Sequence, residues 1–393
     1  MRVTCHIGHH KTGTTSLQAY LSQNSNALLR AGILYPWVES QGASITLAKA
    51  NVGRASERRF KLSKIASKLQ GGDSSDILPI NFREAHNALA FRMLADFQKP
   101  WRVPPYHAQL PHSNQMLIAI KNQIDNLDSD DVVLCSEVMS HFGKANADLI
   151  QRLYQPFAEA DEFTVWCTLR RPDEQAVSWH GQQIKFGQSP KPLSDPDGID
   201  FKGIHFDYAT VVEPWAQRIP NARLMLRPYD VVMKEGGSVD DLIKNSGIKF
   251  PQGLIPAPKM NVSQPPAVAG LIRMANGALP KDLANQFSSQ ILKLTKNIAQ
   301  PSSKEVEYFG AENRAKMMER FQPIHQRLSD LSGRGAFFAD LDRLLVLKPI
   351  PESQAIRQLL DKLSGKEDQL EQPELQDFLK QQVRSFGARQ SVE

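Results

Sequence analysis

The sequence predicts an α/β protein built on a parallel, doubly wound sheet flanked by helices. Three observations carry that expectation. Short apolar runs of the kind buried on both faces recur at residues 3–7, 131–135, 163–169 and 222–226, and helical periodicity fills the stretches between them. The first run opens directly into a glycine-bracketed loop and then a helix. With 393 residues and 41% hydrophobic content, the chain can bury one large α/β core with insertions.

Val3-Thr4-Cys5-His6-Ile7-Gly8 reads as the first strand, and Leu17, Tyr20, Leu21 and Leu28 recur afterwards at helical spacing. Between them, Gly8 and Gly13 bracket a small polar loop. Backbone N–H groups at such a helix start converge on one point where the macrodipole is positive. Lys11 with Thr12, Thr14, Thr15 and Ser16 can therefore cradle a phosphate or sulfate there. Gly8 and Gly13 have the separation of a nucleotide-triphosphatase loop, Gly-x-x-x-x-Gly-Lys-Ser/Thr, but Lys11 precedes the second glycine by two residues and Thr14 takes the lysine's usual place. A plain strand-to-helix turn is the bland alternative.

Residues 37–130 show no clean strand alternation and read as a mostly helical insertion. Residues 54–69 are basic and amphipathic, residues 71–75 form a loop, and Ala85–Phe97 resumes helical spacing before Pro100, Pro104 and Pro105. An insertion here lies near the strands' carboxyl ends, where open α/β sheets bind ligands, and is expected to cap an acceptor. The strand at 131–135 leads into Ser136-Glu137-Val138-Met139-Ser140-His141 and a helix over 145–158. The strand at 163–169 exits into Arg170-Arg171-Pro172, with Pro172 suited to a first helical position. A helix follows from Val239, and further helices are expected at 268–274, 283–294 and 313–331. The Gln- and charge-rich residues 351–393 read as surface helices forming a tail to a main domain over 1–350.

A net charge of +5 and a pI near 9.0 suggest a polyanionic ligand, yet the 47 basic and 42 acidic residues are interspersed, so nucleic acid is not implied. Cys5, Cys135 and Cys167 stand far apart in apolar runs, as buried free thiols of a reducing compartment do. No leader and no transmembrane-length apolar run occurs, and a cytoplasmic location is expected. His6, His9 and His10 alternate along a strand and loop without a standard ligand spacing, so no metal is expected.

The loop Lys11-Thr12-Gly13-Thr14-Thr15 resembles the 5′-phosphosulfate loop of the sulfotransferases, which bind 3′-phosphoadenosine 5′-phosphosulfate (PAPS). A second stretch, Arg170-Arg171-Pro172-Asp173-Glu174-Gln175-Ala176-Val177-Ser178, is similar to the family pattern Arg-x-Pro-x-Asp/Glu-x-x-x-Ser, in which the arginine and the serine reach the nucleotide's 3′-phosphate. By itself it also suits a helix capped by Asp173 beside a surface arginine pair. Looser similarity to bacterial carbohydrate-modifying members extends over residues 1–331 and includes Arg227-Pro228-Tyr229. The resemblance implies in-line transfer of a sulfuryl group from PAPS to a hydroxyl or amine of a carbohydrate-like acceptor, leaving adenosine 3′,5′-bisphosphate. Lys11 and the amides of Gly13 to Thr15 would take the charge of the leaving phosphate, as magnesium does in kinases.

The family takes its general base from a glutamate or a histidine. Glu137, at the carboxyl end of the 131–135 strand, is the first candidate and His141 the second. Glu137 also suits a Walker-B-like acid or a carboxylate that holds Lys11. Tyr229 stands where family aromatics touch adenine, or it is a packed loop tyrosine. Ser16-Leu17 occupies the place of the adenine-stacking tryptophan of small-molecule members, and their late Arg-Lys-Gly loop is missing. A P-loop kinase or nucleotide hydrolase, and a non-catalytic nucleotide-binding protein, are the competing functions.

Overall fold

The computed structural model describes residues 1–39, 80–107, 109–257 and 264–388. The basic stretch at 54–69 and the loop at 71–75 lie outside the described residues. These residues fall into two compact units, Met1–Arg171 with Asp207–Met260 and Ile324–Phe338, and Pro172–Phe206 with Asn261–Pro323 and Ala339–Glu393.

The first unit holds a five-stranded parallel sheet of β1 (Arg2–Gly8), β2 (Ile33–Leu34), β3 (Asp131–Cys135), β4 (Glu162–Leu169) and β5 (Arg223–Pro228), in the order β2-β3-β1-β4-β5. The expected α/β class is thus the observed one. The runs at β1, β3 and β4 are interior strands buried on both faces, whereas β5 is an edge strand whose first residues are partly exposed. Strand β2 is an addition that the sequence reading missed. Gly32, at φ +77°, turns the chain, and its carbonyl accepts the N–H groups of Asp130 and Asp131 at 2.9 and 3.1 Å, docking two residues on the sheet edge.

The chain leaves β1 toward β2 and leaves β4 toward β5. The crevice at the carboxyl ends of β1 and β4 is therefore the topological switch point, the usual ligand position in such sheets. One face of the sheet carries Leu17, Tyr20 and Leu21 of the Thr14–Gln23 helix and Leu242 of the Ser238–Asn245 helix, packed on Val133, Cys135 and Trp166. All three cysteines are buried and free.

One helical expectation changes in detail. The single helix expected over 145–158 is broken into Phe142–Ala145, Asp148–Tyr154 and a 3-10 turn at Gln155–Phe157. The Asn146 side chain accepts the Asp148 N–H at 3.0 Å and restarts the helix, and Pro156, which has no N–H, tightens its end. The stretch that links β3 to these helices forms a 3-10 turn, Glu137–His141.

The second unit is mostly helical, with Pro172–Lys185, Pro266–Ala278 and Lys281–Leu294 and a two-stranded parallel ribbon of β6 (Val306–Glu307) and β7 (Ile350–Pro351). Its polar anchor is buried. Arg314, 1% exposed, pairs with Glu307 at 2.8 Å and donates to the Leu344 carbonyl at 2.9 Å. The Glu352–Leu363 and Pro373–Ala388 helices bury Leu359, Leu360, Leu363, Leu375 and Leu379, so the C-terminal stretch is packed within this unit. Gly270 of the Pro266–Ala278 helix makes that packing possible: a Cβ there would stand 2.5 Å from Ile356 Cδ1. Among the described residues no helix is long and apolar enough to cross a membrane.

Candidate active site

Strand β1 ends in a bulge. Its register with β4 slips between His6, paired with Trp166, and Gly8, paired with Cys167, which kinks the strand into the loop that follows. The His9 N–H donates to the Thr168 carbonyl at 3.2 Å and ties the loop to β4. Within the loop, the Thr12 hydroxyl donates to the His9 carbonyl at 2.6 Å and the Thr14 hydroxyl reaches the same atom at 3.5 Å. Both threonines are buried, so their hydroxyls close the loop, while Thr15 and Ser16 stay partly open.

Lys11 and Gly13 are both left-handed, at φ +66° and +93°. For glycine that is free of penalty, but for a lysine it costs roughly 1 kcal/mol. Strain of this kind collects where a side chain must be aimed. Gly13 then caps the Thr14–Gln23 helix, its carbonyl accepting from Ser16 and Leu17 N–H and from the Ser238 hydroxyl at 2.9 Å. The leading N–H groups of that helix face the crevice mouth.

Gly8 has a second reason to be glycine. It is left-handed at φ +83°, and a Cβ on it would lie 2.5 Å from Glu137 Cα. Gly8→Ala is expected to force β1 and the Glu137 turn apart and to destabilise the protein by about 2 to 4 kcal/mol. A thermal melt that matches wild type would show that the two backbones are not in such contact.

Glu137 leaves the end of β3, the direct neighbour of β1 on the side away from β4. Gln18 Nε2 donates to its Oε2 at 3.0 Å and Asn87 Nδ2 to its Oε1 at 3.4 Å. Burial is the largest influence on its carboxyl, followed in the same direction by the negative charge of Glu84. Against a backbone hydrogen bond and these two side-chain ones, the outcome is a pKa pushed up to about 7. Asn87 comes from the Ala85–Phe97 helix, within the predicted insertion. Its neighbour His86 latches that helix to the sheet: Nδ1 accepts the Cys135 N–H at 3.0 Å, so Nε2 carries the proton donated to the Pro36 carbonyl, also at 3.0 Å. Burial holds His86 near pKa 3, and it stays neutral.

His141 lies one turn beyond Glu137. Its Nε2 is 2.9 Å from His10 Nε2, so one ring donates and the other accepts. Burial, with His9 and Lys144 acting in the same direction, lowers His141 to about 3, and burial likewise lowers His10 well below the ordinary imidazole range. The Trp101 ring stands edge-on to His141 at 4.9 Å.

On the other side of β1, Arg170 follows β4. Its guanidinium lies 3.9 Å over the Tyr229 ring, and its carbonyl accepts the Tyr208 hydroxyl at 2.7 Å. The Tyr208 ring in turn packs edge-on to His9 at 5.3 Å, which places Arg170 beside the Lys11 loop. Among the described residues, the buried Nε of Arg170 and the buried Oγ1 of Thr168, two positions apart on β4 and its exit, have no hydrogen-bond partner. Each such orphan costs roughly 1 to 3 kcal/mol, and a cost of this kind marks a place for a ligand. One face of Tyr229 is taken by Arg170, so the tyrosine positions that arginine. Arg227, from the same stretch, is spent within the fold on Asp241 at 3.0 Å and Glu235 at 3.2 Å.

Lys11, Thr12, Gly13, Thr14, Thr15, Ser16, Glu137, His141, Arg170 and Tyr229 all belong to the first unit, whereas Ser178 lies on the Pro172–Lys185 helix of the second. Sequence reasoning missed Gln18, Glu84, Asn87 and Tyr208. A signal existed for two of them: Gln18 and Asn87 are polar residues at buried positions of otherwise apolar helix faces. Among the described residues no group of three or more His, Cys, Asp or Glu side chains is arranged to hold a metal ion.

No protein-family model and no curated protein matches this chain. Among solved structures it is similar to the sulfotransferase from Alicyclobacillus acidocaldarius, at 13% identity over 85% of this chain and 96% of that one, with a TM-score of 0.36.

Proposed function

We propose that this chain moves a sulfuryl group from PAPS to a hydroxyl or amine of a carbohydrate-like acceptor, leaving adenosine 3′,5′-bisphosphate. The observation that carries this function is the order of groups along three adjacent strand ends: Glu137 after β3, the Lys11 loop after β1, and Arg170 after β4. A donor laid across them meets a helix start and a lysine at its 5′-phosphosulfate and an arginine at its 3′-phosphate, with a carboxylate on the acceptor side. The orphaned Arg170 Nε and Thr168 Oγ1 support a ligand on the arginine side. ATP has no 3′-phosphate to use them.

In the transfer, the acceptor oxygen or nitrogen forms a bond to sulfur while the bond between sulfur and the 5′-phosphate oxygen breaks. The electron pair stays on that phosphate oxygen, next to Lys11 and the amides of Gly13 to Thr15. The acceptor proton passes to Glu137. His141 is the weaker base candidate, because its Nε2 is already engaged with His10. Thr15 and Ser16 are the loop hydroxyls open to the 5′-phosphate.

Calorimetric titration without magnesium tests the donor assignment. Adenosine 3′,5′-bisphosphate is expected to bind more tightly than ADP, and Arg170→Ala to weaken the bisphosphate roughly 10- to 100-fold, the loss of one or two charge-assisted hydrogen bonds. Preference for ADP, or unchanged bisphosphate binding by the variant, discards the proposal.

A further inference from the structure

Glu137 does not stand alone. Glu84 lies at the start of the Ala85–Phe97 helix, and one amide, that of Asn87, touches both carboxylates. Asn87 Nδ2 donates to Glu84 Oε2 at 3.2 Å and to Glu137 Oε1 at 3.4 Å. Its Oδ1 accepts from Gln18 Nε2 at 3.0 Å and from the Ser136 hydroxyl at 2.7 Å. Those two donors leave the amide a single orientation, and both of its N–H groups must face the carboxylates. The two acids are otherwise treated differently. Glu84 is paired with the Arg83 guanidinium at 2.9 Å, whereas Glu137 receives neutral amides from Asn87 and Gln18.

We propose that Asn87 is a positioning residue for the transfer reaction: oriented by Gln18 and Ser136, its amide bridges the Arg83-paired Glu84 to Glu137 and holds Glu137 as the carboxylate that exchanges a proton with the acceptor. This inference rests on Glu137 being the acceptor base. The asymmetry follows from environment. Glu84 has an arginine partner, whereas burial and the nearby Glu84 charge raise the Glu137 carboxyl and the two amides oppose them. The other groups facing Glu137 do not alter the division. Cys135 from β3, Tyr35 beyond β2 and Tyr106 are each raised by burial first and by the Glu137 charge among the further causes, so they remain protonated, and His141 on the same turn remains neutral. The Lys11 loop lies on the fourth side, with Gly8 against Glu137 Cα.

Two substitutions should act in opposite directions. Asn87→Leu removes a donor to Glu137 and the polar bridge between two acids, and is expected to raise the midpoint of Glu137 ionisation by about one pH unit. Glu84→Gln removes the like charge and releases Arg83, and is expected to lower it by a similar amount. Glu137 ionisation is read directly by carboxyl carbon NMR of glutamate-labelled protein, with Glu137→Gln identifying the signal, and the pH dependence of transfer is read alongside. Below the midpoint, each unit of displacement changes the rate about tenfold.

Midpoints that stay put in both variants, or move the same way in both, overturn the proposal, since general loosening of the fold cannot produce opposite signs. Should Asn87→Leu fail to fold, the downward shift in Glu84→Gln decides alone. A Glu137 signal that moves as expected while the rate profile does not supports the amide clamp and overturns Glu137 as the base.

Discussion

Replacing Lys11 with glycine is expected to lower the sulfuryl transfer rate at least a hundredfold while making the protein more stable by roughly 1 kcal/mol. Both effects come from one backbone angle. At φ +66° a lysine carries a penalty that glycine does not, so the fold gains from the change. The gain comes at the expense of the loop cation proposed to stand beside the departing phosphate oxygen. Charge develops on that oxygen only as the bond to sulfur breaks, so the lysine acts on the transition state more than on bound donor. Single-turnover transfer from PAPS and a thermal melt measure the two quantities on the same sample. Loss of activity together with loss of stability would mean that Lys11 serves the fold, and undiminished transfer would remove it from the mechanism.

Glu137→Gln is expected to reduce transfer by a factor of roughly 10² to 10⁴, the range for removal of a positioned general base. The wild-type rate should fall on the acid side of about pH 7, where the Glu137 carboxyl takes up its proton, and that limb should vanish in the variant. The same group has a stability consequence whose sign can be worked out. A carboxyl raised in the folded state above its ordinary range binds a proton more tightly folded than unfolded. Stability therefore declines as pH rises from the unfolded value near 4.5 through about 7, and does not recover above it. Glutamine carries no charge to bury. The variant should thus melt higher than wild type at pH 8, by roughly 1 to 2 kcal/mol, with the difference closing below pH 5. A variant less stable than wild type at pH 8 would refute the burial of that charge, and an unchanged rate would pass the base role to another group.

Parts of the candidate site were legible because their chemistry is local. The placing of Lys11 and Gly13 in a strand-to-helix loop follows from glycine spacing and periodicity over fifteen or so residues, which any window of the chain contains. The hydroxyls were less legible. Thr12 and Thr14 look alike to Thr15 and Ser16 in sequence, yet the first two turn back to the His9 carbonyl and only the others stay open. The resemblance sets Tyr229 near adenine, and the structure adds its stacking with Arg170, a contact between residues on different strand exits. The edge strand β2 escaped notice because two residues are too few to show alternation.

The sequence by itself determined that four parallel strands would form, that the first would end in a glycine-bracketed strand-to-helix turn, and that a basic residue would leave the strand at Glu162–Leu169. Apolar period, glycine placement and charge are properties of neighbouring residues and survive without the fold. Only the tertiary structure decided that β3 and β4 flank β1, and so that Glu137 and Arg170 stand on either side of the Lys11 loop. It alone decided the ionisation of Glu137, because burial raises that carboxyl and the amides that oppose it, Gln18 and Asn87, are 119 and 50 residues away along the chain. Burial and hydrogen bonding act through space, and distance along the chain carries no record of them.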